Sequence, residues 1–291
     1  MLIPPVLIPM EMREIERVVA LALLEDAPWG DITSQVLVPA SAHATAQLAA
    51  REAGVMSGGL VFEAAMRLTD PALDVELLVA DGMAFATGDV LATVTGSARS
   101  ILQAERVALN FVQRMSGIAT LTARFVAEVA GTKTRIVDTR KTTPGLRAFE
   151  RYAVRCGGGR NHRYSLSDAV MAKDNHLAVL AGGLTEALRA ARKALPHTVH
   201  MEVEVDRLEQ IEAVLAGGAD TVMLDNFSLE DMRTGVAQIA GRALVEASGG
   251  VRLDRVKAIA ETGVDLISVG ALTHSVRALD LGLDFRNEGG A

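Results

Sequence analysis

A single cysteine, Cys156, stands in 291 residues, which excludes an internal disulfide and a cysteine-ligated metal cluster and fits a reducing compartment. A lone small thiol reads as a structural residue sooner than as a nucleophile. Aromatic side chains make up 3% of the chain, so the core must be aliphatic and platforms for stacking nucleobases are scarce. No apolar run reaches the ~18 to 20 residues that cross a bilayer. The N-terminal string MLIPPVLIPMEMREIERVV is broken by prolines and lacks the basic flank and small-residue cleavage site of a signal peptide. The expectation is a soluble, cytoplasmic protein with no membrane partner. His43, His197, His200 and His274 show no metal-ligand spacing, which argues against zinc.

What the chain does have is a steep charge asymmetry. Residues 133–173 carry ten Lys or Arg against Asp138, Glu150 and Asp168, a balance of +7 in a chain of net charge −7. A protein built to hold nucleic acid is usually basic throughout. A local excess of this kind suits a positive pocket for a small, multiply anionic substrate, the alternative being a solvated basic surface. With 49% hydrophobic residues the chain has ample material for one large domain or two unequal ones.

Periodicity divides the chain in two. Ile15, Val18, Val19, Ala22 and Leu23 repeat at helical spacing, followed by strands near 44–51, 75–79 and 90–95 with a helix at 61–68. A long helical stripe from Ala104 to Val129 then bridges to a region of different texture. Six short apolar strands, RIVDTRK, AVMAKDNH, HMEVEVD, TVMLDN, ALVEASGG and LISVG, alternate with helical patterns at 184–195, 207–215, 229–239 and 253–261. That alternation means βα units and a parallel sheet. No Gly-x-Gly-x-x-Gly follows the first strand, which favours an incomplete β/α barrel over a doubly wound sheet.

Barrel active sites lie at the carboxyl ends of the strands. Here those ends carry Arg140 and Lys141; Lys173, Asp174, Asn175 and His176; Glu202, Glu204 and Asp206; Asp225 and Asn226; Ser248, Gly249 and Gly250; and Gly270. The alternating carboxylates of HMEVEVD, beside Asp225, suit Mg²⁺ or sugar hydroxyls if they face the axis, and internal salt bridges otherwise. Ser248, Gly249, Gly250 and Gly270 resemble a phosphate cradle, because backbone N–H groups approach an anion closely only where side chains are absent. CGGGRNHR adds Arg160, His162 and Arg163 on a loop. An arginine fork grips a carboxylate or phosphate through two parallel bonds. His162 serves there either as a structural histidine or as a substrate contact. A Schiff-base lyase using Lys173 and an RNA-binding module using the basic segment are the competing readings.

Taken together, EDAPWGDITS, AERVALNFVQRMSGIAT, DTRKTTPGLR, AVRCGGGRNHRYSLSDAVMAKDNH, MEVEVD, DTVMLDN, VEASGGV and LISVGALTHSV resemble the quinolinate phosphoribosyltransferase family. The motifs run from about residue 25 to 276, in family order. The resemblance implies an α/β protein: an N-terminal α/β sandwich, residues 1–115 joined by 272–291, and an incomplete seven-stranded parallel β/α barrel over 116–271, working as a homodimer. It implies phosphoribosyl transfer from phosphoribosyl pyrophosphate to quinolinate with decarboxylation. Arg140, Lys141, His162, Arg163 and Lys173 are expected to bind carboxylates and phosphates, and Arg106 to reach the partner's site. Glu204 and Asp225 are expected to hold the ribose and Mg²⁺ and, with Lys141, to be catalytic. Ser248, Gly249, Gly250 and Gly270 are expected on the 5-phosphate. A relative tied to molybdenum transport shares the DTRKT and glycine-rich strings; MAKDNH favours the biosynthetic enzyme.

Overall fold

The computed structural model describes residues 7–179 and 182–286. In chain order the elements are α1 (Met12–Asp26), α2 (Ile32–Leu37), β1 (His43–Ala50), β2 (Gly54–Val55), α3 (Gly59–Thr69), β3 (Asp74–Leu77), β4 (Ala84–Phe85), β5 (Val90–Ser97) and α4 (Ala98–Glu128). There follow β6 (Arg135–Val137), α5 (Arg147–Cys156), β7 (Val170–Ala172), α6 (Asp174–Ala178), α7 (Leu184–Ala194), β8 (Met201–Val205) and α8 (Ile211–Ala216). The chain ends with β9 (Thr221–Asp225), α9 (Leu229–Ile239), β10 (Leu244–Ser248), α10 (Leu253–Ala260), β11 (Leu266–Ser268), α11 (Ala271–His274) and β12 (Leu281–Phe285).

Two compact units emerge, and neither is one continuous stretch. The first takes the chain up to Ala123, Thr143–Gly158 and the chain from Val276; the second takes Arg124–Thr142 and Gly159–Ser275. Helix α4 runs unbroken past residues 115 and 116, so no linker marks the passage that a linear division sets there.

The first unit holds a four-stranded antiparallel sheet ordered β12-β1-β5-β3. Alternation along β1 buries Ala46, Leu48 and Ala50, the period-2 pattern of a half-buried strand. Helix α1 packs on α3 through faces that bury Ile15, Val18 and Val19 and Val61, Phe62 and Met66. The C-terminal strand completes the sheet: Ala46 faces Phe285 and Ala50 faces Leu281. The polar, glycine-ended string RNEGGA predicts fraying; its first residue, Arg286, donates its N–H to Thr45 O at 2.8 Å, and 287–291 lie outside the described residues. Helix α5 buries Glu150, whose Oε1 accepts from Arg114 Nε at 2.8 Å and Nη2 at 2.6 Å. Leaving that carboxylate unpaired would cost ~3–5 kcal/mol.

The second unit is the barrel. Its strands are all parallel and ordered β6-β11-β10-β9-β8-β7. A doubly wound sheet reverses direction at a switch point. Here chain order proceeds around a ring, and β11 returns to pair with β6, leaving one seam between β6 and β7. At that seam Val137 makes a single parallel bridge to Arg160, with Arg160 N–H donating to Ile136 O at 2.8 Å. The resemblance implies seven strands; the structure shows six and this bridge. All six strands read from the sequence are present, and both faces of β8 and most of β9 and β10 are buried, as expected where helices cover one face and side chains fill the barrel on the other.

Candidate active site

Side chains two residues apart along these strands share the axial face. In β10 that face carries Glu246 and Ser248, in β9 Met223 and Asp225, in β8 Glu202 and Glu204. Thr139, Arg140, Lys141, His162, Arg163, Met171, Lys173, Met223, Glu246, Ser248 and Ser268 line one cavity of about 290 Å³. Glu204, Asp206 and Asp225 line a second, of about 580 Å³, with Asp174, Arg207 and Gln210. Lys173 Nζ meets Glu204 Oε2 at 2.5 Å, so one lysine of the cationic cavity is paired to an acid of the other.

The cationic cavity is built by a buried acid behind it. Asp138, at the end of β6 and fully buried, accepts from His162 N–H at 2.7 Å and Asn161 Nδ2 at 2.6 Å. These bonds hold the strand-like loop after the glycines, and Arg163 Nη1 donates to Ala169 O at 2.8 Å. Burial, and next the charge of Arg140, lower the proton affinity of Arg163. Arg140 Nε is itself buried without a hydrogen-bond partner. Two guanidiniums crowded in this way call for an anion.

Below them lies a second layer of titratable groups. His162 Nδ1 accepts from Arg163 N–H at 2.8 Å, so the ring proton sits on Nε2, 2.8 Å from Glu202 Oε2 and 3.6 Å from Glu246 Oε2. Burial opposes the charged ring, but the bond to Glu202 and the charges of Glu246, Glu202 and Asp138 outweigh it and raise its pKa. Glu246 is 1% exposed, and both its carboxyl oxygens lack a hydrogen-bond partner. Its burial, then the charge of Glu202, pushes its carboxyl up to about 8.

The glycines separate into distinct cases. Gly249 has φ +91°, and a Cβ there would fall 2.2 Å from Asn226 Oδ1, so only glycine fits. Gly250 has φ +57° with open space beside it. At Gly270 a Cβ would lie 3.1 Å from Lys141 Cδ and from His274, which sets the Lys141 stem against the start of α11. Asp225 Oδ2 accepts from Asn226 Nδ2 at 2.7 Å.

Arg140, Lys141, His162, Arg163, Lys173 and Ser248 thus share one cavity, and Glu204 and Asp225 the adjoining one. Arg106 is exposed on α4 in the first unit. Cys156 is buried, accepts from Ser57 Oγ at 3.3 Å, and has its thiol pushed up to about 12, chiefly by burial; it stays protonated and inert. Lys173 lies in an ion pair, not in the desolvated apolar pocket that activates a Schiff-base lysine. Sequence reasoning missed Asp138, Glu246 and Ser268. For Glu246 a signal existed: alternation in ALVEASGG sets it on the same face as Ser248. Among the described residues no helix is long and apolar enough to cross a membrane.

Fold and site together define an α/β-barrel protein whose strand ends open onto adjoining cationic and acidic cavities, an arrangement for a multiply anionic substrate. Residues 31–116 match the quinolinate phosphoribosyl transferase N-terminal domain and residues 118–284 its C-terminal domain, and the chain belongs to this family. It is 47% identical, over 90% of its length and 94% of the relative's, to the nicotinate-nucleotide pyrophosphorylase [carboxylating] of Mycobacterium leprae. A probable enzyme of the same name from Bacillus subtilis is 42% identical over 90% of both chains. The structure of the nicotinate-nucleotide pyrophosphorylase of Francisella tularensis superposes with a TM-score of 0.90 at 38% identity, covering 96% of this chain and 98% of that one.

Proposed function

We propose that this chain transfers the phosphoribosyl group of phosphoribosyl pyrophosphate to quinolinate and removes one carboxyl group, yielding nicotinate mononucleotide, pyrophosphate and carbon dioxide for NAD biosynthesis. Family membership and the names of the relatives support the activity. The observation that carries the residue roles is the junction of two cavities of opposite sign, bridged by Lys173 and Glu204.

In this reading Arg140 and Arg163, with Lys141, His162 and Lys173, hold the carboxylates of quinolinate. Ser248, Gly249, Gly250 and Gly270 take the 5-phosphate. The ring nitrogen attacks the anomeric carbon as pyrophosphate departs, and the carboxylates of Glu204 and Asp225 stabilise the cationic character on the ribose. Lys141, at the cavity rim beside Gly270, offsets the charge gathering on the leaving group. Glu204 and Asp225 are hard oxygen donors at the edge of one roomy cavity, a set that fits Mg²⁺. A magnesium ion held there would supply charge neutralisation to pyrophosphate.

Loss of carbon dioxide leaves an electron pair beside a cationic ring nitrogen. A tight ion pair to the departing carboxylate would stabilise the ground state and oppose this step, so the arginines grip chiefly the carboxylate that stays. The protein works as a cytoplasmic homodimer in which the partner's Arg106 completes the cationic cavity; sedimentation of wild type, and mixing of R106A with an active-site variant, test that arrangement. The activity is tested by incubating purified protein with quinolinate, phosphoribosyl pyrophosphate and Mg²⁺. Nicotinate mononucleotide is expected, with none formed when nicotinate replaces quinolinate or when EDTA is added. Failure to form it from quinolinate rejects the reading.

A further inference from the structure

Decarboxylation leaves a carbanion that must gain a proton inside a cavity otherwise dominated by cations. Of the groups lining it, Lys173 is committed to Glu204, and the Nε2 proton of His162 is committed to Glu202. Arginine does not give up a proton in proteins. Lys141 is exposed at the rim. Glu246 differs from all of these: it is fully buried, lies at the floor of the cavity two residues before Ser248, and has neither carboxyl oxygen in a hydrogen bond, with His162 Nε2 at 3.6 Å from Oε2. Glu202, the buried carboxylate beside it, already accepts from His162 Nε2.

We infer that Glu246, in its protonated form, is the acid that delivers a proton to the ring carbon from which carbon dioxide departs. The inference rests on the activity proposed above. The bond between C2 and its carboxylate breaks, and the electron pair stays on C2 beside the ribosylated nitrogen. The Glu246 O–H then breaks, its proton forms the new C2–H bond, and its electron pair remains on the carboxylate oxygen. His162 Nε2, 3.6 Å away, faces the carboxylate so formed, which regains a proton from solvent after product release. The charged groups that face Glu246 are Glu202 from β8, His162 and Arg163 from the loop, Arg140 and Lys141 after β6, and Lys173 after β7; β9 and β11 present Met223 and Ser268. Burial favours the protonated acid, and the charge of Glu202 favours it further.

The two halves of the reaction are separable in a single turnover by rapid quench, following pyrophosphate release and nicotinate mononucleotide formation. Glu246→Gln keeps shape and burial but has no acidic proton. Pyrophosphate release is expected near the wild-type rate, with quinolinate mononucleotide accumulating and nicotinate mononucleotide forming roughly 10²–10⁴-fold more slowly, the usual contribution of a positioned acid. In the wild type, the second half should slow as pH rises past about 8 while the first half stays level, a readout that needs no variant. Nicotinate mononucleotide formed at the wild-type rate by folded E246Q, both halves slowed together, or a wild-type second half flat with pH would each overturn the inference. If the wild type makes no product, the proposed activity falls and this inference with it; normal wild-type turnover with an unaffected E246Q removes the inference alone.

Discussion

The two cavities at the mouth of the barrel share strand β9 yet differ in sign. One is lined by Arg140, Lys141, Arg163 and Lys173, the other by Glu204, Asp206 and Asp225. The difference arises from which segment supplies the side chains. The cations come from the turns after β6 and β7 and from the loop at the seam, while the acids come from β8, the residue just after it, and β9. A site so divided can grip a dianionic ring on one side and face a sugar developing positive charge on the other. Substitution on the acidic side should therefore strike turnover, and substitution on the cationic side should strike affinity.

The largest expected effect breaks the acidic side. Asp225→Asn should lower kcat about 10²–10³-fold, or ~3–4 kcal/mol of transition-state stabilisation, with little change in quinolinate KM; steady-state kinetics decide, and a change confined to KM erases the contrast between the cavities. On the cationic side, Arg163→Lys and Arg140→Lys keep the charge but lose the fork. Each should raise quinolinate KM about 10- to 100-fold, at ~1.4 kcal/mol per decade, and kinetics untouched by either would remove the arginines from substrate binding. Gly249→Ala tests the loop between the cavities. The new Cβ meets Asn226 Oδ1 at a strained φ, so a loss of about 1–3 kcal/mol in denaturant stability is expected, together with weaker phosphoribosyl pyrophosphate binding.

The smallest effect concerns the buried layer beneath the cationic cavity. Glu246 holds its proton up to about 8, whereas the unfolded chain releases it in the ordinary carboxylate range. Between those limits the folded state binds the extra proton, so stability declines as pH rises through the window and levels above it. His162, also raised, adds to the upper part of the same decline. Because Glu246 shares its surroundings with Glu202 and His162, the share removed by Glu246→Gln should be modest, on the order of 1–2 kcal/mol between pH 5 and 8. Thermal melts across that range measure it, and an unaltered slope in the variant would show that Glu246 does not titrate there.

The strands of the barrel were legible because each is a short apolar run ending in polar or glycine residues, and the strand-end residues followed from the fold. The orientation of Glu202, Glu204 and Asp206 was not, since both faces of β8 are buried and alternation alone could not decide. Glu202 and Glu204 are buried, whereas the Asp206 side chain is 62% exposed. Helix α5 escaped notice because its buried face includes Glu150 and Arg151, so its apolar period is interrupted where Arg114 supplies the compensating charge. The roles of Glu246 and Asp138 depend on burial and on partners distant in sequence. Neither is a local property of the string.

One strand pairing bears on how the molecule is made. β1, at residues 43–50, takes its neighbour on one edge from β12, at residues 281–285, so a nascent chain must expose that edge until residues 281–285 have been made. At about 5–20 residues per second, the ribosome leaves an unpaired strand open to other chains for roughly tens of seconds. Removal of residues 281–285 should thus matter less for chemistry than for the yield of protein that escapes aggregation.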